Sequence, residues 1–589
     1  MTARFACRLP FGATLVAPDR AHFRLFAPAQ KAVQVEIDGQ GRAAMRRDDA
    51  GWFEAELACG TGARYIYVLD DGSRVPDPAS RAQAHDVHDW SVVIDPAAYA
   101  WRETRWQGRP WYETIIYEIH CGLYGGFRGV EAALPRLADL GVTAIELMPI
   151  NDFSGGRNWG YDGVLPFAPD TSYGSVDDLK ALIDAAHAHG LMIFLDVVYN
   201  HFGPDGNYIS RYAPATFRED YRTPWGAGID FRRPDVRRFF TENALYWLLE
   251  YRFDGLRLDA VHAISEPDWL DEMAADVRAS VEVGRHVHLV LEHEGNVSSH
   301  LRGGFDAQWN DDIHNVIHVL LTGETEGYYC DYAERPASKL AKGLSEGFIY
   351  QGDASAHHGG KSRGTPSGDL APISFVFFLQ NHDQIGNRAF GERLTRLCSA
   401  DALEAAIALQ ILAPEIPLIF MGEEDASTTP FLFFCDYDGE LAEIVRDGRR
   451  HEFARFKAFT DPALRDAIPD PNAPSTFSRS KPLRDETHGR ERFDYYRRLL
   501  SLRRSLIVPR LKGARTVGAT VLSEAAVRVQ WRLNDGSELT LLSNLGADAA
   551  CAVPPTDTMI FESKPGAAAA LDNRTLLGHA TVAFLSRAS

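Results

Sequence analysis

The chain has 589 residues, of which 45% are hydrophobic and 24% charged, an ordinary balance for a globular protein able to bury a large core. Its length suggests three or four domains at about 150 residues each, although a barrel with insertions can occupy several hundred residues alone. A formal net charge of −20 argues against nucleic acid and anionic membrane as partners, since both are polyanions, and leaves neutral ligands such as sugars open.

The N-terminus, Met1-Thr2-Ala3-Arg4-Phe5, leads into Leu9-Pro10-Phe11-Gly12 without the apolar core of a signal peptide. The first hundred residues read as all-β. Alternating runs such as His22-Phe23-Arg24-Leu25-Phe26 and Ala32-Val33-Gln34-Val35-Glu36-Ile37 are separated by turn signals at Asp38-Gly39, Asp49-Ala50-Gly51 and Asp71-Gly72. This is the pattern of a small β-sandwich, in which Trp52 and Phe53 read as core rather than as sugar-stacking aromatics. A linker bearing Trp and Pro follows, from Trp101 to Pro110.

From Ile115 the rhythm changes. Apolar runs of strand length alternate with helix-length segments: Ile115–Ile119, Ala144–Met148, Met192–Val198, Gly255–Asp259, His288–Glu292, Phe305–Trp309, Phe375–Leu379 and Pro417–Met421. Near-continuous apolar runs suit parallel strands buried on both faces. Ser175 predicts a helix N-cap, with Asp178 completing a capping box and Gly190 ending the helix near His189. Pro234 predicts the start of another, with Phe239, Leu245, Leu248 and Leu249 on its apolar stripe. Eight such units point to an α/β chain built on a (β/α)8 TIM barrel, spanning 101–507 between an N-terminal β-sandwich (1–100) and a small C-terminal β-domain (508–589). No run of about 20 apolar residues occurs, so no membrane span is predicted. The seven cysteines, Cys7, Cys59, Cys121, Cys330, Cys398, Cys435 and Cys551, show no paired spacing, which reads as free thiols in the cytoplasm.

Polar residues recur where these strands end: Asp196 and then Tyr199-Asn200-His201, Arg257 with Asp259, Glu292, and Asn381-His382-Asp383. In a barrel these ends share one face, where active sites form. A single buried acid can merely hold a loop; four at four strand ends are costly without a chemical use. Glycoside hydrolysis uses one carboxylate as nucleophile and one carboxylic acid to protonate the leaving oxygen, and a third can favour the oxocarbenium-like transition state. Arg257, two residues from Asp259, shares its side of the strand and should keep that carboxylate ionised. Glu292 must be protonated at rest, which neighbouring carboxylates would promote by repulsion.

Asp196-Val197-Val198-Tyr199-Asn200-His201, Gly255-Leu256-Arg257-Leu258-Asp259-Ala260, Glu292 after its strand, and Asn381-His382-Asp383 resemble, in order, the four signature regions of the α-amylase family. Trp159-Gly160-Tyr161-Asp162-Gly163 is similar to that family's loop with a stacking tyrosine. The resemblance implies Asp259 as nucleophile, Glu292 as acid/base and Asp383 as transition-state stabiliser. It implies that Arg257 orients Asp259, and that His201, His382 and Tyr161 line the pocket at the cleaved bond. A narrower likeness covers nearly the whole chain. Trp309-Asn310-Asp311-Asp312-Ile313-His314, Gly323-Glu324-Thr325-Glu326-Gly327-Tyr328-Tyr329, Asn381-His382-Asp383-Gln384-Ile385-Gly386-Asn387-Arg388 and Thr429-Pro430-Phe431-Leu432-Phe433-Phe434 resemble the malto-oligosyltrehalose trehalohydrolase family. Members of that family cut the α-1,4 bond beside a terminal trehalose and release trehalose.

Asp311, Asp312 and Glu326 are then candidate contacts to the leaving sugar, the substrate being maltooligosyl trehalose or a related malto-oligosaccharide. No metal or other cofactor is expected: His201 has one nearby acid and no second His or Cys at ligand spacing. His357-His358, in a Gly- and Ser-rich stretch, reads as a mobile loop over the site. Asp425, where relatives usually carry an aromatic, and a short loop from Cys121 to Arg128 depart from the common pattern. The alternatives are a branching enzyme, a plain α-amylase, and a non-catalytic glucan-binding protein. The last is disfavoured because all three carboxyls are present.

Overall fold

The structure is a computed structural model and describes residues 5–455, 461–552, 555 and 557–586; most of the stretch on which the signal-peptide reading rests, residues 1–4, lies outside these. At its centre eight parallel strands close into a barrel: β1 (Ile116–Ile119), β2 (Ala144–Leu147), β3 (Met192–Val197), β4 (Gly255–Leu258), β5 (His288–Leu291), β6 (Ala307–Trp309), β7 (Phe375–Phe378) and β8 (Ile416–Phe420). Each expected strand is present, seven of them shortened by one or two residues and the eighth shifted back by one, and β8 pairs with β1 through Ile116↔Leu418. Every residue of the eight strands is buried, which is why their sequences read as near-continuous apolar runs rather than alternating ones.

The helix Val176–Ala188 starts as expected: the Ser175 side chain accepts from the Asp178 N–H, the Asp178 carboxylate accepts from the Ser175 N–H, and Gly190 takes a left-handed φ of 70° beyond the C-cap. The helix Pro234–Leu249 also begins where expected, but its buried stripe is displaced. Val236, Phe240, Ala244, Trp247 and Leu248 face the core, whereas Phe239, Leu245 and Leu249 are only partly covered. Phe239 instead meets Phe11 of the N-terminal segment, with ring centroids 5.4 Å apart, so this helix has a second apolar contact that the single-stripe reading omits.

The N-terminal strands form two antiparallel sheets. Gly12–Ala17, Arg20–Phe26, Trp52–Leu57 and Arg46–Arg47 make one; Gly41–Ala44, Gln34–Ile37, Arg64–Val68 and Arg74–Val75, with Ser91–Val92 also paired to Arg64–Val68, make the other. Phe53 lies in the core, 1% exposed, while Trp52 sits at the margin against Phe11 and Phe26 with the Arg24 guanidinium 4.1 Å above its ring. At the other end Arg515–Ser523, Ala526–Arg532, Glu538–Asn544, Ala580–Leu585 and Thr558–Glu562 form a five-stranded sheet. The helix Ala400–Leu412 is apolar on all sides because it is sandwiched: it packs on this sheet, where Thr581 Oγ1 donates to Ala405 O, and its Gln410 donates to Phe377 O and Leu418 O in the barrel wall.

Candidate active site

The barrel register builds the site. Asp196 and Arg257 are direct partners across β3 and β4, so the Arg257 guanidinium reaches both oxygens of Asp196, at 2.8 and 2.7 Å. The same Nη1 donates to Asp259 Oδ1 at 2.9 Å, and Nη2 donates to Glu292 Oε2 at 2.8 Å. Arg257 is fully buried and its guanidinium lies 4.3 Å from the centre of the Trp309 ring. One cation therefore holds three carboxyls from three adjacent strand ends. Such an arrangement tolerates burial because each carboxyl is bonded to the one cation and because burial pushes Asp196 and Glu292 towards their neutral forms.

The second oxygen of Asp259 accepts from Asn200 Nδ2 at 2.9 Å. Glu292 Oε2 takes a further bond, from the backbone N–H of Ala260 at 2.8 Å. Burial pushes the Glu292 carboxyl well above the usual range; Arg257 opposes this, and Asp259, Asp383 and Asp311 add to it. Repulsion from neighbouring acids thus acts as expected but is secondary to desolvation. Asp311 is raised to about 7, again chiefly by burial, with Asp383 and Asp312 contributing.

Around this centre, Tyr161 donates to Asp196 Oδ2 at 2.6 Å and stacks on the His382 ring at 4.9 Å. Its neighbour Trp159 packs across Gly386, where a Cβ would lie 2.1 Å from the indole, so the Ile385-Gly386-Asn387 segment needs glycine. His201 is held by Asn200 Oδ1 and stacks on Trp225 at 5.2 Å; burial lowers its pKa and keeps it neutral. Asp383 is the most open of the three carboxyls, its side chain 39% exposed.

These groups line one cleft of about 830 Å³ at the C-terminal face of the barrel. Asp259, Glu292, Asp383, Tyr161, His201, His382 and Asp311 all reach it. Arg257 lies beneath. Asp312 does not reach the cleft. It is fully buried and accepts from Asn296 Nδ2, the Ile349 and Tyr350 N–H groups, Tyr332 OH and Arg363 Nη1, which ties the segment after β6 to the hairpin Asp353–Ser355/Lys361–Arg363. Glu326 is exposed and is not on the cleft wall either. Both therefore fall away as sugar contacts; Asp311 Oδ1 instead accepts from Gln384 at 3.2 Å beside the carboxyls. Removing Asp312 would leave the 8%-exposed Arg363 side chain without its ion partner, so Asp312→Ala is expected to destabilise the protein by about 3–5 kcal/mol. A thermal unfolding midpoint equal to that of the wild type would show that the knot carries no stability.

His357 and His358 do lie over the cleft, at the tip of that hairpin. The residues that the sequence reading missed include Trp225, on the turn between Phe217–Thr223 and Gly226–Ile229, and Arg449, on the helix Gly439–Glu452. The signal for Trp225 was a large aromatic in a Pro-Trp-Gly turn, and it remains 47% exposed. The two departures noted above stay clear of the cleft. Asp425 is an ion-pair hub for Arg136 and Arg484, both at 2.6 Å, and Cys121–Arg128 folds into a tight turn followed by the first turn of a helix.

A closed parallel barrel whose strand ends converge on an Arg-anchored set of carboxyls, beside a stacking tyrosine and two histidines, defines a glycoside hydrolase of the α-amylase class. The alpha amylase catalytic domain matches residues 96–225, and a domain of unknown function, DUF3459, matches 514–583. The malto-oligosyltrehalose trehalohydrolase of Deinococcus radiodurans is 40% identical over 536 residues, 89% of this chain and 88% of the relative. That of Saccharolobus solfataricus is 43% identical over 446 residues, 74% of this chain and 79% of the relative. A crystal structure of a Salmonella typhimurium protein taken to be an alpha amylase superposes with a TM-score of 0.92 at 42% identity, covering 98% of this chain and all of that one. The chain belongs to the malto-oligosyltrehalose trehalohydrolase family.

Proposed function

We propose that this enzyme hydrolyses the α-1,4-glucosidic bond next to the terminal trehalose of maltooligosyl trehalose, with retention at the anomeric carbon, releasing trehalose and a malto-oligosaccharide. The observation that carries the chemistry is the single guanidinium of Arg257 bound to both Asp259 and Glu292, which keeps the two carboxyls side by side. A short separation, about 5–5.5 Å, is the geometry of a retaining pair. Asp259 attacks the anomeric carbon as the bond to the leaving oxygen breaks and Glu292 gives that oxygen its proton. Glu292 then takes a proton from water as the water oxygen displaces Asp259. Asp383 stabilises the positive charge that develops on the sugar in both steps.

The choice of leaving group rests on family membership and on the cleft wall that carries Asp311, Gln384, Tyr328 and His357. Trehalose has no reducing end and bends where an α-1,4 chain would continue. Polar groups placed for that bend stay unpaired against a linear chain, which costs several kcal/mol of discrimination. Incubation with maltooligosyl trehalose is expected to yield mainly free trehalose, with much slower cleavage of maltopentaose. Equal rates on the two, or the appearance of α-1,6 branches, would remove the trehalohydrolase reading and leave a plain amylase or a branching enzyme. A cytoplasmic location is part of the same proposal. It is supported by the free thiols of Cys7, Cys59, Cys121, Cys330, Cys398 and Cys435.

A further inference from the structure

Glu118 on β1 and Glu146 on β2 are partners in register, each 1% exposed. Two acids side by side inside a barrel are costly unless each is matched or neutral. Glu118 is matched. Its Oε2 accepts from the His382 backbone N–H at 3.1 Å, and its Oε1 is bonded to His382 Nδ1. Glu146 is neutral: neither oxygen has a hydrogen-bond partner among the described residues, and burial, with Glu118 and Asp196 behind it, raises its carboxyl well above the ordinary range. The His382 ring is clamped on every side. Tyr161 stacks on it, Trp159 and Trp309 approach at 5.7 and 5.9 Å, and Nε2 lies 3.7 Å from Asp383 Oδ1.

We propose that Glu118 is a positioning residue of the active site, which from beneath the cleft fixes the ring of His382 and holds it as an imidazolium, so that Nε2–H is a donor to a sugar hydroxyl and the positive ring lies beside Asp383. The proposal rests on the reading that the cleaved bond sits in this cleft. A neutral ring with its proton on Nδ1 toward Glu118 would turn a bare lone pair on Nε2 toward the Asp383 carboxylate, two acceptors face to face; the doubly protonated ring removes that conflict. The neighbours agree. Glu118, Asp196 and Asp383 bring acidic groups from β1, β3 and the segment after β7, against Arg257 on β4. Glu146 on β2 is neutral, and so is His120 just past β1, lowered to about 4 by burial. Tyr161, raised by burial, stays protonated. Burial alone would strip the proton from His382; Glu118 outweighs it and brings the imidazole to about 9.

Glu118→Gln keeps the size and an acceptor oxygen but removes the charge. The test is a pH titration of 13Cε1-labelled histidine in the whole protein by NMR, the His382 signal being the one missing from His382→Asn. The wild-type midpoint is expected near 9. In Glu118→Gln it should fall by about one unit or more. As the pH is lowered through the variant's own midpoint, kcat/KM should recover towards the wild-type value, which a merely structural defect would not allow. A wild-type midpoint near the ordinary value of about 6.5 would overturn the proposal. So would a midpoint that does not fall in the variant. Should Glu118→Gln fail to fold, the wild-type titration decides. The midpoint is read without turnover, so an active Asp259→Asn would dismiss the reading of the site while leaving the His382 result standing.

Discussion

Asp259→Asn is expected to lower kcat on maltooligosyl trehalose by about 10⁴-fold or more, the scale on which covalent nucleophiles are lost. The substitution is nearly isosteric, and its surroundings indicate how the amide would settle. Oδ1 faces the Arg257 guanidinium and Oδ2 faces the Asn200 amide, so both neighbours are donors. An asparagine satisfies one of them and turns its own N–H toward the other, which loses a single hydrogen bond, on the order of 1 kcal/mol. The fold should therefore survive and the unfolding midpoint change little while the attacking charge is gone. Near-normal turnover in a preparation free of wild-type enzyme would remove Asp259 from the mechanism.

Glu292→Gln separates the proton donor from the nucleophile. Activity on the natural substrate is expected to fall by about 10²–10⁴-fold, the usual contribution of general acid catalysis. A substrate whose leaving group needs no proton, such as an α-glucosyl fluoride, should still form the covalent intermediate at close to the wild-type rate, because attack by Asp259 is untouched. The pH dependence gives a second reading. Burial holds the Glu292 carboxyl above the ordinary carboxylate range, so in the wild type the active protonated form persists at higher pH and is lost on the alkaline side. In Glu292→Gln that alkaline loss should be absent from the residual activity on the natural substrate. Equal losses on both substrates would deny Glu292 the acid role.

The eight barrel strands were legible because a strand covered on both faces is mostly apolar, and the polar residues clustered at the strand ends are the chemistry. Asp259, Glu292, Asp383, Arg257 and Asp196 could be picked out by that logic alone. The helix at Pro234 shows its limit. The start follows from local backbone preference, but which residues are buried depends on Phe11, more than two hundred positions away. Asp311 and Asp312 show it more sharply. They are neighbours of one chemical type, and nothing local tells the cleft-facing acid from the one locked beneath Arg363. Trp225 and Arg449 enter the cleft from segments with no catalytic pattern, and Glu118 reads as an isolated polar residue within a strand until its partner, 264 positions on, is known.

The residue after the nucleophile is Ala260, whose φ is 40°, a left-handed conformation that costs a residue with a Cβ on the order of 1 kcal/mol or more. That turn is what aims the Ala260 N–H at Glu292 Oε2. The amide and Arg257 both favour the charged carboxylate, whereas burial and the neighbouring acids favour the neutral one. Glu292 is thus pulled in two directions at once, and a side chain that must surrender a hydrogen in one half of each turnover and recover it in the other works best when neither form is a trap. The twisted backbone at Ala260 is half of that balance, so the reversibility of the catalyst is written partly into its main chain.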